Sequence, residues 1–338
     1  MKQSVGIGRR QFVASLIAVA TASPLGKMVS AGSEKLHARQ GVSVTETEQN
    51  LRRHVQELAG TIGERNVFQP KALRAARDYI EEVWRNQGYT VARQEYEANG
   101  VGCANLEVAM LGASRPDEIL LLGAHYDSVR GSPGANDNGS GVAALLEIAR
   151  LFTDAQPAMT VRLVAFVNEE PPFFGTSRQG SAVYAKAAKG RGDDIKLMMA
   201  LETIGCYRDE PGSQRYPPFF RYFYPDRGNF LALISDFGSL PVVRHVASVF
   251  RAHSDFPIEY AGVFRWIPGV TWSDHLPFWR RGYRALMATD TAFHRYPYYH
   301  TPEDTPDKLN YPMFGRATEA LYMCASAIAG EGIDEFER

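Results

Sequence analysis

Cysteine is scarce, with three residues in the whole chain, Cys103, Cys206 and Cys324. They are too few and too widely spaced for a disulfide framework, and none of the spacings is that of a cysteine metal site. At most one disulfide bond can form. We therefore expect three buried thiols, and a metal site in this chain has to use other side chains.

No apolar stretch near the N-terminus is long enough to span a membrane, which takes about 20 residues. Residues 12–22 form an apolar segment preceded by Arg9 and Arg10. This order resembles a twin-arginine export signal. We predict a signal peptide at 1–32, a linker at 33–46, a single catalytic domain at 47–338, and an exported protein. A disordered or membrane-anchoring N-terminus is the alternative, and the site of cleavage is left open.

An excess of one charge is also absent, since the formal net charge is -1 and like charges do not cluster. A nucleic-acid-binding protein would show a basic patch or stripe, so this class of partner is excluded. Gly139-Ser140-Gly141 does not form the G-x-S-x-G motif of serine hydrolases. The glycine-rich loop around it lacks the Gly-Lys-Ser/Thr of a phosphate-binding loop.

Apolar runs and helical periodicity alternate along the chain, which predicts an α/β sandwich. The run EILLLGA at 118–124 is typical of a strand buried on both faces. The other strands are expected at 90–96, 104–111, 161–167, 195–201 and 283–288. The helices are expected at 47–58, 71–87, 141–152, 241–253 and 314–329.

Polar and ionisable residues follow the buried strands. His125 and Asp127 follow the first, and Asp137 lies in the loop after them. Glu169 and Glu170 follow the strand at 161–167, Glu202 follows the strand at 195–201, and His300 comes after the last strand. Ligand sites of open α/β sheets lie at the carboxyl ends of the strands. We therefore expect these side chains to converge on one site.

The residue types indicate a metal site. Histidines and carboxylates without cysteine suit zinc or a similar ion in a catalytic site, where one ion needs three protein ligands. Five good candidates suggest two ions bridged by one carboxylate. Two divalent cations, three carboxylates and one hydroxide would form a neutral cluster, which a buried site tolerates.

Six motifs resemble those of the co-catalytic zinc aminopeptidases, whose relatives include glutamate carboxypeptidases and glutaminyl cyclases. In chain order they are GAHYDS, GANDNGSG, VNEE, LETIG, SDHLPF and YHTPEDT. The resemblance covers roughly residues 45–330. It implies a three-layer α/β sandwich with a mostly parallel mixed central sheet, of the zinc-exopeptidase type. It also implies an enzyme that hydrolyses peptide bonds, most simply as an aminopeptidase acting on peptide or aminoacyl substrates.

The resemblance also assigns roles to the candidate residues. His125 and Glu202 would hold one zinc ion, Glu170 and His300 the other, and Asp137 would bridge them. Asp127 would orient a ligating imidazole. Glu169 would be the general base for the bridging water, and Tyr299 would hydrogen-bond the oxyanion or simply pack.

Several alternatives stay open. Glu202 stands where the best-known aminopeptidases have aspartate, so that zinc site is either filled or vacant. A glutaminyl cyclase would use one zinc ion, and a binding ectodomain would have lost ligands or base. Asp274 either lies near the active site or caps a helix. The aromatic residues at 206–224 either rim a substrate pocket or pack on one another.

Overall fold

The apolar segment before His125 is an inner strand of an eight-stranded mixed sheet. The structure is a computed structural model that describes residues 44–332. The strands are β1 (Ala92–Ala98), β2 (Val101–Met110), β3 (Arg115–His125), β4 (Met159–Phe166), β5 (Asp194–Glu202), β6 (Leu231–Asp236), β7 (Ile258–Val263) and β8 (Ala285–Thr289). Their order is β1-β2-β4-β3-β5-β8-β6-β7. Strands β4, β3, β5 and β8 are parallel neighbours, as are β6 and β7, whereas the other three pairings are antiparallel.

Helices cover both faces of the sheet. They are α1 (Val44–Val55), α2 (Pro70–Asn86), α3 (Gly141–Phe152), α4 (Gly180–Arg191), α5 (Leu240–His253), α6 (His275–Trp279) and α7 (Tyr311–Glu331). Helices α4 and α6 pack on one face, and the others form the layer on the opposite face. This is the predicted three-layer sandwich with a mixed sheet.

Strand β3 shows why its run of apolar residues is needed. Leu120 and Leu122 belong to the core under α3 and α7, whereas Ile119 and Leu121 belong to the core under α4 and α6. Alternate side chains of a strand point to opposite faces, so a strand with a helix layer on each side needs apolar residues throughout. All four side chains are buried.

The parallel strands bring their carboxyl ends to one edge of the sheet. His125, the last residue of β3, pairs with Phe166 at the end of β4. Glu202, the last residue of β5, pairs with Thr289 at the end of β8. The loops that follow these strands therefore start at the same edge, where the candidate site was predicted.

The remaining predictions have mixed outcomes. Helix α1 begins at Val44, so the end of the predicted linker at 33–46 is helical, while the predicted signal at 1–32 lies outside the described residues. Strands β6 and β7 and helices α4 and α6 were not predicted.

The three cysteines are buried and unbridged, as expected. Among the described residues, helices that combine the length and apolar character of a membrane span are absent.

Candidate metal centre

Three side chains from distant parts of the chain meet at the carboxyl ends of β3 and β5. Nε2 of His125 lies 3.3 Å from Oδ1 of Asp137 and 3.4 Å from Oε2 of Glu202. All three residues are buried. Nε2 of His125 has no hydrogen-bond partner among the described residues. One ligand atom from each residue lies within 4.8 Å of the others, which is a suitable donor set for a divalent metal ion.

Asp137 belongs to a second group of the same kind. Its other oxygen, Oδ2, lies 2.9 Å from Nε2 of His300, which lies 3.5 Å from Oε1 of Glu170. That glutamate oxygen is buried and, within the described part of the chain, lacks a hydrogen-bond partner. Each oxygen of Asp137 thus faces a different histidine. This is the geometry in which one carboxylate can bridge two ions.

The loop that carries Asp137 requires close backbone approach. Gly134 has φ of 63°, and a Cβ atom there would lie 2.4 Å from the carbonyl oxygen of Asp137. Asn138 ties the loop to the end of β5, because its Nδ2 donates to the carbonyl of Leu201 at 2.8 Å. Its Oδ1 accepts a bond from the backbone N–H of Thr203 at 3.2 Å. The position of Asp137 is therefore fixed relative to the β5 end.

Asp304 links this loop to the segment that carries His300. Its carboxylate accepts the backbone N–H groups of Asn136 at 2.8 Å and Asp137 at 3.1 Å. The hydroxyl of Tyr296 donates to it at 2.7 Å. Burial raises the pKa of Asp304 to about 6, although these donors favour the charged carboxylate. Asp304 therefore fixes the backbone that carries the shared carboxylate of Asp137.

Arg65 is fully buried beside the acidic cluster. Its guanidinium donates to five backbone carbonyls, those of Leu58, Gly63, Tyr126, Pro133 and Gly134. Burial lowers the pKa of Arg65 to about 10, whereas the charges of Asp304 and Asp127 raise it. Tyr126 follows His125 directly, and Gly134 starts the loop of Asp137. One cation thus connects the residue after His125 to the start of the loop that carries Asp137.

Asp127 holds the adjacent glutamates through their backbone. Its Oδ1 accepts the N–H of Glu169 at 3.0 Å, and its Oδ2 accepts the N–H of Glu170 at 3.1 Å. Oδ1 also lies 3.5 Å from Nδ1 of His125. The residue therefore contacts a candidate ligand and the turn that bears two further candidate residues. Its predicted orienting role suits this position.

Burial raises the pKa values of three site carboxyl groups, those of Glu169, Glu170 and Glu202. Burial also acts to raise the pKa of Asp137, but its neighbours His125 and His300 outweigh this and lower it. Burial raises the pKa of Glu169 well above its usual value, although the charge of His125 opposes this. Burial likewise raises the pKa of Glu170 to about 7. Burial lowers the pKa of His300, but Asp137 and Glu170 raise it to about 10 overall. A site that draws protons onto its histidines also attracts divalent cations.

Two further residues contact the candidate ligands. Tyr299 is stacked on the ring of His300, with centroids 3.8 Å apart. Burial raises the pKa of Tyr299, and so do Asp137 and Glu202, so its hydroxyl stays protonated beside the cluster. Ser273 donates to Oε2 of Glu202 at 2.7 Å, which fixes the glutamate that stands in place of the expected aspartate.

Sequence reasoning missed Arg65, Ser273 and Asp304 as parts of this site. Asp304 lies inside the motif YHTPEDT and Ser273 begins the motif SDHLPF, so these positions were the available signals. Asp274 does not cap α6, because its side chain makes no capping hydrogen bond. It is buried within the electrostatic reach of His125, and burial raises its pKa to about 7.

A cavity of about 880 Å³, counting its open mouth, begins at Glu202 and Tyr299. Its floor is the face of β8, β6 and β7, and part of its wall comes from the aromatic segment at 206–224. Tyr216, Phe220 and Tyr224 line it. The segment therefore does contribute to a pocket beside the candidate centre.

The sandwich fold and this cluster of histidines and carboxylates define a metallopeptidase of the exopeptidase fold. The chain belongs to peptidase family M28, whose family model matches residues 105–325. This confirms the family and the enzyme class that the six motifs predict.

Curated relatives support the assignment. YfbL of Escherichia coli (strain K12) is 38% identical over 282 residues, covering 81% of this chain and 86% of YfbL. An aminopeptidase of Pseudomonas aeruginosa is 30% identical over 165 residues, covering 46% of this chain and 28% of that protein. A probable zinc metalloprotease of Pyricularia oryzae is 28% identical over 218 residues, covering 57% and 42%. The chain thus spans less than half the length of the last two.

Solved structures share the fold at low sequence identity. BSAP, a zinc aminopeptidase from Bacillus subtilis, matches with a TM-score of 0.64 at 15% identity, covering 86% of this chain and 98% of BSAP. A Bacteroides thetaiotaomicron glutaminyl cyclase matches with a TM-score of 0.63 at 17% identity, covering 82% and 97%. Both a hydrolase and a cyclase therefore share this fold.

Proposed function

We propose that the protein is an exported zinc-dependent aminopeptidase that releases N-terminal residues from peptides. The observation that carries the proposal is the sharing of Asp137 between two groups of candidate ligands. One group adds His125 and Glu202, and the other adds Glu170 and His300. Sharing of this kind favours two ions over one.

The donor chemistry fits zinc. Each group has one imidazole and two carboxylates, and Nε2 of His125 and Oε1 of Glu170 are buried without hydrogen bonds to other described residues. Such orphaned atoms are expected where a cation is the missing partner. When bound, zinc lowers the pKa of water and polarises a carbonyl group.

Glu169 is the proposed general base. Its Oε2 lies 4.0 Å from Nε2 of His125, at the side of the cluster. The raised pKa of Glu169 brings proton exchange closer to neutral pH, which a residue that first takes and later gives up a proton needs. Asp127 holds the backbone N–H of Glu169 and so positions this carboxyl group.

Tyr299 is the proposed oxyanion donor. Its ring is packed on His300, and its hydroxyl group lies within the electrostatic reach of the carboxylates of the cluster. A protonated hydroxyl fixed in this place can donate to the carbonyl oxygen of the substrate as negative charge develops there. Stacking on a candidate ligand holds the ring in position without a further hydrogen bond.

Export is proposed from the sequence alone. Arg9 and Arg10 precede the apolar segment at 12–22, as in a twin-arginine signal. We propose that residues 1–32 direct the protein out of the cytoplasm.

The experiment is a panel of aminoacyl-p-nitroanilides and dipeptides, assayed with and without a chelator. Hydrolysis should stop with chelator and return on addition of zinc, and N-acetylated substrates should resist hydrolysis. The alternative is a cyclase that converts N-terminal glutamine to pyroglutamate without releasing a residue. Pyroglutamate as the main product, or hydrolysis of acetylated peptides at equal rates, would refute the aminopeptidase proposal.

A further inference from the structure

A row of paired residues runs across the cavity floor from the candidate metal centre to a second carboxylate. Glu202 pairs with Thr289, Thr289 pairs with Ala232, and Ala232 pairs with Glu259. Neighbouring strands lie about 4.8 Å apart, so the Cα atoms of the two glutamates are separated by roughly 14 Å. The floor therefore connects Glu202 of the candidate metal centre to Glu259 on the edge strand.

Glu259 lies on the cavity side of the sheet. Side chains two residues apart share a face of a strand, and Ala261 and Val263 of the same strand also line the cavity. On β6, Ala232 and Ile234 show the same alternation and the same exposure to the cavity. The register thus places the carboxylate in the cavity wall, not in the helix layer beneath β7.

The carboxylate of Glu259 has little compensation for its charge. It makes no hydrogen bond or ion pair with any other residue of the described range 44–332. Partial burial raises the pKa of Glu259, and the charge of Arg251 lowers it only in part. A half-buried carboxylate without a partner is unfavourable, and a cationic ligand would relieve that cost.

The walls beside it are suited to a long side chain that ends in a cation. Tyr216 stacks on Tyr224 at 5.9 Å, and Phe220 stacks on Tyr224 at 6.2 Å. Aromatic faces attract cations, and apolar walls accept the methylene groups of lysine and arginine. Among the described residues that line the cavity there is no lysine or arginine. Apart from the candidate ligand Glu202, Glu259 is the one acidic residue among the described residues that line the cavity.

We propose that Glu259 determines specificity by binding the charged end of an N-terminal lysine or arginine side chain. This deepens the proposed function and rests on it. A lysine side chain reaches about 6 Å from Cα to its ammonium nitrogen, given bonds of ~1.5 Å. The roughly 14 Å between the Cα atoms of the two glutamates leaves room along the cavity floor for a side chain of this length. The substrate class is therefore peptides with a basic N-terminal residue.

The test compares lysyl-p-nitroanilide with norleucyl-p-nitroanilide, which has the same carbon chain without the ammonium group. The wild-type enzyme should prefer lysine by roughly tenfold or more in kcat/KM, as expected for a hydrogen bond between charged groups. Glu259→Gln should abolish this preference and leave the norleucine rate within about twofold. Glu97→Gln is the matched control, because Glu97 is an exposed glutamate on the opposite edge strand β1.

The outcomes separate the two proposals. The specificity role of Glu259 would be overturned if Glu259→Gln left the ratio of kcat/KM for lysine over norleucine unchanged, or lowered kcat/KM equally on both substrates. Hydrolysis of these substrates would still support the proposed aminopeptidase activity. A wild-type enzyme that hydrolyses norleucine but disfavours lysine would also overturn it. Failure of the wild type on every aminoacyl substrate would refute the proposed function, and the inference with it.

Discussion

Oδ2 of Asp304 accepts a hydrogen bond of 3.1 Å from the backbone N–H of Asp137, the residue that both candidate ligand groups share. The side chain of Asp304, which is not itself a candidate ligand, thereby fixes the backbone of Asp137 and so the position of its carboxylate. Such supporting contacts govern how tightly a metal site binds its ion.

We expect Asp304→Asn to weaken zinc binding by about 10- to 100-fold. The carboxylate accepts three donors, whereas an amide offers one oxygen and would turn its NH2 group toward another donor. Titration of chelator-treated protein with zinc measures the change. Asp307→Asn is the control, since Asp307 is exposed on the same segment. Equal zinc affinity in both variants would contradict this role of Asp304.

Arg65→Lys should lower the free energy of unfolding by at least ~2 kcal/mol. Lysine has three N–H donors for the five carbonyls that the guanidinium contacts, and each buried carbonyl left unpaired costs about 1–3 kcal/mol. Urea unfolding in the presence of chelator measures the loss without a contribution from metal. Arg74→Lys, an exposed change on α2, should leave the value within ~0.5 kcal/mol. Similar values for the two variants would show that Arg65 is dispensable.

Asp304 and Arg65 are examples of site residues that the sequence did not predict. His125 and Glu202 were predictable as neighbours, because each ends an apolar run and parallel strands end at the same edge. Arg65 was not, because its partners are backbone carbonyls from 58 to 134 that only the folded chain brings together. The ligands follow a pattern of strand ends, whereas the supporting contacts depend on loop paths that leave no periodic signal.

The missed strands have a related explanation. Leu231–Asp236 and Ile258–Val263 are six residues each, and short apolar runs do not distinguish a strand from part of a helix. Strand β7 is also an edge strand with an irregular burial pattern, so it lacks the continuous apolar character of β3. Without these strands, the cavity floor and Glu259 could not be predicted.

We expect Glu169→Gln to lower kcat by ~10² or more while zinc remains bound, because the amide cannot accept the proton. Steady-state kinetics combined with metal analysis on the same sample measures both quantities. Glu303→Gln, an exposed change three residues after His300, serves as the control. A variant that keeps near-wild-type turnover would exclude Glu169 as the general base.

The number of zinc ions bound per chain should show whether Asp137 is shared between two metal sites. The wild type is expected to bind about two zinc ions, as a two-ion site requires. Glu202→Ala should reduce this to about one, because the group with His300 stays complete. Asp137→Ala removes a ligand from both groups and should reduce zinc content further. A wild-type value near one, with no gain on adding zinc, would favour the single-zinc cyclase.

The last prediction concerns stability at low pH and the histidine beside Asp274. Burial lowers the pKa of His275, the first residue of α6, to about 4, although its Nε2 is hydrogen-bonded to the carbonyl of Val270 at 2.7 Å. The unfolded chain binds a proton near pH 6.5, whereas the folded chain does so only near pH 4. The contribution of His275 is therefore complete above pH 6.5 and is lost as the pH falls toward 4, with a slope of up to about 1.4 kcal/mol per pH unit.

His275→Gln should remove this slope, since glutamine does not titrate and its amide can still donate to Val270. The free energy of unfolding, measured with urea from pH 7 to 4 in chelator, should fall less steeply in the variant than in the wild type. His253→Gln is the control, because His253 is a half-buried histidine at the end of α5. If the wild type and His275→Gln lose stability in parallel, the acid sensitivity arises from other groups, and the buried imidazole is not the residue that has to be protonated on unfolding.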